Sequence, residues 1–412
     1  MNAPVSPYTD LRLPVDVASA HFADNRTRYY QWLRDEAPVH RGRVSVMRMW
    51  FLSRYDDCWA LLRDPRFVRN RGRARGKGNS AAPLPMPRSV RHLAESMILS
   101  DDPAHARLRG LVQKAFTSSA IANMEASLRA HAHALLDGAE RTEPVDLQMA
   151  YASPIPVRAI SEMMGLEAAD APRFHDGLRA LSDGLSGWGM LRTLLWDLPR
   201  LDRFVRELIE RKRFAPGDDI LTALIAAEEG ADRLQENELI SMVFLLIIAG
   251  FETTVHLISN LVLTLLAHPD QLERLRANPS LIEGAVEEGL RFCGPIHGTK
   301  PCYPLENVTI HGITIPRGAA VVPVLGAANL DPREFDAPQG FDIGRPIRRH
   351  LGLGRGIHFC LGSQLARMET RVAVEVLLER CPNLALAADA TELVRERMPL
   401  WNRYAALPVR LG

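Results

Sequence analysis

The segment HLGLGRGIHFCLG, His350 to Gly362, places Gly352, Gly354 and Gly356 within five residues. Neither a helix nor a strand is stable there, so the backbone must turn tightly or lie close to something flat. An amphipathic helix is predicted immediately afterwards, Leu361–Arg380, with Glu369 and Arg380 on its polar side. Cys360 therefore stands near a helix N-terminus, where free amides and the helix dipole favour thiolate over thiol. A deprotonated sulfur under exposed N–H groups suits a soft, electron-donating metal ligand. A buried cysteine in a glycine-rich turn is the other reading these residues leave open.

Upstream, Ser241–Leu266 (SMVFLLIIAGFETTVHLISNLVLTLL) is apolar on most faces and interrupted by Gly250, Glu252, Thr253, Thr254 and His256. Such a helix, predicted over Glu236–Ala267, belongs inside a large core. A glycine in its middle costs about 1 kcal/mol, and a buried carboxylate needs partners. Threonine hydroxyls bond the carbonyl one turn back and bend a helix, which opens room for a small ligand; a polar network that only fixes the packing is the plainer alternative. Glu288-Gly289-Leu290-Arg291 sets an acid and an arginine at i and i+3, an arrangement also common on helix surfaces. After Ser100-Asp101-Asp102-Pro103, a natural helix start, His105 and Arg109 stand at i and i+4. Two cations so placed suit a pair of carboxylates on a flat cofactor, or an ordinary polar face.

Helical spacing recurs in Tyr29–Glu36, His105–Phe116, Ile121–Asp137, Ile155–Met164, Leu201–Arg211, Gln271–Arg276 and Pro279–Phe292. Extended segments are short: Val44–Leu52, Val308–Ile310 and Ile313–Ile315 about a His311-Gly312 turn, Ala319–Val324 and Ala405–Leu411. The predicted class is mainly α, many helices with small peripheral β-sheets. The 412 residues are 47% hydrophobic with a formal charge of +1, which excludes disorder and argues against nucleic acid. No linker divides the chain, so a single domain over 1–412 is expected. Its one basic, Gly/Ser/Pro-rich excursion, Arg69–Arg88, is read as part of a mobile loop over about 69–95, and its basic run lacks aromatics for base stacking. Five cysteines, none in a CxxC pair, suit a reducing cytoplasm. Signal-peptide patterning is missing from the N-terminus, and the longest apolar run, Met242–Phe251, is about half a bilayer span, so no membrane anchor is expected.

Gly354-x-Gly356-x-His358-x-Cys360-x-Gly362 resembles the haem-binding loop of cytochromes P450. Other segments are similar to that family's motifs in the same order: His105/Arg109 to its propionate-binding helix, Ala249–Thr254 to its oxygen-binding motif, Glu288–Arg291 to ExxR, and Ala328-Asn329-Leu330-Asp331-Pro332 to ANRDP with Leu330 for arginine. The resemblance covers roughly residues 20–410 and implies the cytochrome P450 fold and haem b, iron protoporphyrin IX. It implies Cys360 as the iron ligand, pushing electron density towards O–O cleavage, with Gly362 in the same loop. His358, His105, Arg109 and Lys300 would meet the haem propionates. Thr253 would hydrogen-bond dioxygen and Glu252 would feed the proton relay. Glu288 and Arg291 would form a buried pair joined by Arg345. Leu245, Ile248, Ala249, Ile296, His297 and Leu400 would line the substrate pocket, closed by the 69–95 loop and Met398–Trp401. Two departures stand out. Leu353 replaces the phenylalanine of most members, implying an altered redox potential or haem retention; Lys300 replaces an arginine, keeping the charge but not the two-pronged geometry.

The implied activity is insertion of one oxygen atom from O2 into an apolar molecule such as a fatty acid, a terpenoid or a macrolide-like polyketide. A separate ferredoxin or flavodoxin system would supply electrons, docking on a basic face made by Arg348, Arg349, Arg355 and Arg367. A cytoplasmic monomer is expected. A peroxide-driven haem-thiolate enzyme is the nearest alternative, disfavoured by the Glu252–Thr253 pair. A non-catalytic haem carrier or gas sensor would need neither that pair nor an apolar pocket.

Overall fold

A computed structural model describes residues 8–76, 96–139, 143–167, 169–170, 173–174, 192–226, 234–346 and 349–412. The chain forms two compact units, neither of them one continuous stretch: 1–79, 260–360 and 388–407 make the first, and 80–259, 361–387 and 408–412 the second. Of the loop expected over 69–95, residues 71–74 form a short helix and 77–95 lie outside the described residues.

In the first unit, Met49 and Phe51 turn inward from the strand Met47–Leu52, as the two-residue side-chain period requires. They pack with Tyr29, Tyr30 and Leu33 of the helix Arg26–Asp35 and with Val322 and Val324. The strand pairs antiparallel with Val39–Val44, from Val39↔Leu52 to Val44↔Met47, and parallel with Val321–Pro323. The single extended segment expected over Val44–Leu52 is thus a hairpin. Ser45 turns it with φ of 55°, its amide donating to Asp16 Oδ1 at 3.0 Å, a side-chain rescue without the usual Asn-Gly turn signal. The other hairpin forms where expected, with His311 and Gly312 at φ 48° and 76° between Val308–Ile310 and Ile313–Ile315. The helix expected over Pro279–Phe292 opens as a tight turn, Pro279–Leu281, and becomes α-helical at Ile282. Asn260, near the C-terminal end of the long helix Glu236–Ala267, donates to Cys293 O at 2.9 Å and Asn402 O at 2.8 Å, tying three segments together.

In the second unit, Thr117 caps the helix Ser118–Asp137 by accepting from Ala120 N at 3.1 Å. This helix packs along Ser363–Arg380, which begins two residues later than expected. Arg371–Glu125 at 2.7 Å, Arg129–Glu375 at 2.5 Å and Arg380–Asp137 at 2.5 Å flank the seam, and Tyr151 Oη donates to Ala373 O at 2.7 Å. Arg380 lies at this rim, but Glu369 does not share its polar side. It falls four residues from both Leu365 and Ala373, on the buried stripe, and is 1% exposed. A three-stranded sheet, Val145–Asp146, Pro408–Arg410 and Ala385–Leu386, completes the unit. The helix Glu236–Ala267 is long and apolar enough to cross a membrane, yet most of it is buried inside the protein.

Candidate active site

The Cys360 loop is held open by glycine. Gly354 and Gly356 have φ of 71° and 73°, and a Cβ on Gly356 would collide with the Leu62 carbonyl. A single 3₁₀ turn, Gly356–His358, follows, and Cys360 N closes the loop on Leu353 O at 3.0 Å. Cys360 is half-buried, whereas Cys58, Cys293, Cys302 and Cys381 are buried. Burial pushes the Cys58 thiol far up and the Cys293 thiol to about 12, so those two stay inert. His358, Leu353 and Gly362 are half-buried. Lys300 keeps accessible surface but is deeply surrounded by protein; burial first, then the Arg69 guanidinium, lowers its pKa.

The same unit assembles the acid–arginine pair. Arg291 Nε and Nη2 grip the two Glu288 oxygens at 2.7 Å each, and Arg345 Nε approaches Oε1 at 3.2 Å. Arg291 Nη1 also donates to Asn329 O and Pro338 O at 2.9 Å. Asn329 Oδ1 in turn accepts from Leu351 N at 2.7 Å, so the pair is wired to the start of the cysteine loop. Ile296, His297 and Leu400 come together through a bridge between Ile296 and Trp401 and a bond from His297 N to Leu400 O of 2.8 Å. The His297 ring is turned towards Tyr30, Oη to Nδ1 2.9 Å. Burial first, then Arg26 and Arg395, drive its pKa well down. Arg349 and Arg355 are exposed and lie over the Trp59 ring at 5.8 and 4.3 Å, with Arg63 at 5.9 Å. Arg348 lies outside the described residues.

In the second unit the central helix exposes one stripe. Ala249 is exposed and Leu245, Ile248 and Thr253 are half-buried, as are Gly250 and Phe251, in a helix whose middle is otherwise buried. Thr253 Oγ1 donates to Ala249 O at 2.6 Å, the back-bond expected of a mid-helix threonine. Glu252 is 8% exposed. Thr254 is buried and hydrogen-bonds the Glu369 carboxyl, whose pKa burial raises to about 8. His105 is buried with Nδ1 3.4 Å from Asp102; desolvation lowers its pKa, Asp102 opposes this and Arg109 adds to it. Arg109 is half-buried and Arg367 donates to Ser363 O at 3.3 Å.

Sequence reasoning missed Trp59, Tyr30, Arg26 and Arg395 and placed Glu369 on the wrong face of its helix. Only Glu369 carried a signal, its i±4 spacing to Leu365 and Ala373.

No group of three or more His, Cys, Asp and Glu able to hold a metal occurs among the described residues. A metal at Cys360 would have one soft protein donor and would draw its other donors from a prosthetic group. Four porphyrin nitrogens meet that need, so the residues present fit haem. The comparisons agree. The family model "Cytochrome P450" matches residues 201–397. Cytochrome P450 107B1 of Saccharopolyspora erythraea is 40% identical over 95% of this chain and 96% of its own length. Among solved structures, PksS of the Bacillus subtilis bacillaene polyketide synthase has a TM-score of 0.89 at 34% identity, covering 97% of this chain and 100% of that one. P450BioI, solved with a hexadec-9Z-enoic acid-ligated acyl carrier protein, has a TM-score of 0.85 at 33% identity, covering 95% and 100%.

The chain belongs to the cytochrome P450 family. It has the P450 fold and is a monooxygenase, an oxidoreductase whose cofactor is haem b, bound in this family through a cysteine thiolate.

Proposed function

We propose that this enzyme inserts one oxygen atom from O2 into an apolar fatty-acyl or polyketide-like molecule, using electrons from a separate ferredoxin or flavodoxin system. The resemblance to PksS of a polyketide synthase and to P450BioI with its acyl carrier protein supports these two substrate classes. One observation carries the assignment of the site: the half-buried Cys360 thiol at the end of a loop that only glycine can shape. Cys360 would be the iron ligand. Bound haem supplies the redox chemistry that activates oxygen.

The protein's residues do the rest. His105, Arg109, Lys300 and His358 would neutralise the two propionates. Burial disfavours the charged forms of His105 and Lys300, and an adjacent carboxylate would favour them again. Thr253 Oγ1 spends its proton on Ala249 O and still accepts a hydrogen bond, so it would orient an O–H group, with Glu252 as proton donor and acceptor. Leu245, Ile248, Ala249, Ile296, His297 and Leu400 would line the substrate pocket. Glu288, Arg291 and Arg345 would brace the cysteine loop. Arg349 and Arg355, with Arg63 around Trp59, would form the docking face for an acidic partner. A cytoplasmic monomer fits this reading.

The reduced, CO-bound absorption spectrum tests it. The wild type should give the thiolate band and Cys360→His an imidazole-type band. A protein that takes up no haemin, or a Cys360→His spectrum identical to wild type, overturns the ligand assignment. Turnover with hydrogen peroxide exceeding turnover with a reductase would replace the proposed electron source.

A further inference from the structure

Two arginines from distant parts of the first unit converge on one neutral oxygen. Arg26 Nη1 and Arg395 Nη1 both donate to Asn402 Oδ1, at 3.3 and 2.5 Å, while Asn402 Nδ2 donates to Cys293 O at 3.0 Å. Arg395 also stacks on Tyr404 at 4.4 Å. Among the described residues neither guanidinium has a carboxylate within ion-pairing distance. The groups that act on Arg395 are Tyr404, Arg26, Tyr30 and Cys293, and the neighbouring acid Glu396 is engaged by Arg403 at 2.7 Å. Arg26 Nε is buried without a hydrogen-bond partner.

Like charges drawn to one amide oxygen repel, although Arg26 is only half-buried and Arg395 keeps an exposed face. Each guanidinium carries five N–H donors in a planar fork, and Arg26 Nε is buried with none of its capacity taken up. Desolvation lowers the pKa of Arg395; Tyr404 opposes this and Arg26 adds to it. An oxyanion bridging the two forks would relieve the repulsion and satisfy the donors together.

The pair also adjoins the proposed pocket. Asn402 N donates to Pro295 O at 2.8 Å, and the next residues along these two segments are Ile296, bridged to Trp401, and His297, bonded to Leu400. Asn402 and the pocket residues thus share one backbone pairing.

We propose that Arg26 and Arg395, held together by Asn402, form an oxyanion site that receives the carboxylate of the substrate, which makes the substrate a chain-like carboxylic acid. This rests on the monooxygenase reading above. A free oxyanion such as inorganic phosphate has the same chemistry, so the test includes both sources.

Decanoic acid and decan-1-ol are titrated into the holoenzyme at constant ionic strength. Binding is read by calorimetry, which does not depend on haem, and by the shift of the haem absorption band, which does. Thermal denaturation is followed with and without inorganic phosphate. The acid should bind about tenfold more tightly than the alcohol, a factor of ten being ~1.4 kcal/mol, and phosphate should compete with it. The Arg26→Gln/Arg395→Gln pair should lose the preference, and Arg26→Lys/Arg395→Lys, which keeps both charges, should retain part of it. An acid preference that survives the glutamine pair, or no preference and no phosphate effect in the wild type, overturns the site. Phosphate stabilisation of the wild type alone, with no acid preference, overturns the substrate assignment. An acid preference by calorimetry without any absorption shift keeps the site and counts against the monooxygenase reading.

Discussion

Glu288 and Glu369 are both almost cut off from water, at 3% and 1% exposure, and their surroundings treat them in opposite ways. Glu288 is held by both forks of Arg291 at 2.7 Å, by Arg345 at 3.2 Å and by the Asp342 amide at 3.1 Å. No cation faces Glu369 among the described residues; its hydrogen bond is with Thr254, its Oε1 has no partner, and burial raises its pKa to about 8. The first carboxylate is an ion stabilised by ions. The second is pushed by burial towards its neutral, protonated form. Burial alone therefore says nothing about a carboxyl group's charge; the donors around it decide.

Breaking the Glu288 knot should have the largest effect. Arg291→Ala leaves a carboxylate in the interior with one remaining cation, and loss of about 3–5 kcal/mol is expected in denaturant titrations. Arg291→Lys should recover only part of it, because an ammonium cannot reproduce the two-pronged grip.

Glu369→Gln should sharpen the contrast by removing a pH dependence rather than a bond. In the unfolded chain this carboxyl ionises near 4.5, in the folded protein near 8, so between those values the folded state holds the extra proton. Wild-type stability should therefore fall as pH rises through that window. The Gln variant should lack this slope, melting alike at pH 5 and above the wild type by about 2–4 kcal/mol at pH 8. Parallel curves for the two proteins would mean that Glu369 is ionised. Arg345→Ala should cost less, about 1–2 kcal/mol, since Arg291 still pairs Glu288 and Arg345's other bonds are to carbonyls near the surface.

How far the sequence foretold these two environments follows from what each depends on. The Glu288–Arg291 grip is local, one helical turn apart, so its spacing was legible; its carbonyl acceptors at Asn329 and Pro338 come from 38 and 47 residues away and were not. The cysteine loop was legible because glycines at 354 and 356 mark left-handed backbone directly. Glu369 was misread because charge was given more weight than its register with Leu365 and Ala373. The Ser45 turn was invisible because a side chain 29 residues earlier, Asp16, stabilises it. Trp59 and its arginines come from two separate segments, 59–63 and 349–355, that only tertiary folding gathers.

That last cluster should show the smallest effect on stability and a clear one on rate. Arg349 and Arg355 are exposed, so each stacking contact with Trp59 contributes about 0.5–1 kcal/mol at most, and Arg349→Gln/Arg355→Gln should melt within roughly a degree or two of the wild type. If the cluster steers an acidic electron donor, the double variant should instead slow reduction several-fold at low salt, with the difference vanishing as salt screens the encounter. Trp59→Phe separates the two roles. It removes the best cation–π surface while leaving all three charges, so it should relax the arginines' order and leave the salt dependence in place. A double variant reduced as fast as the wild type at low ionic strength would put the docking face elsewhere, and the guanidiniums over Trp59 would then be no more than packing, the exposed counterpart of the grip on Glu288.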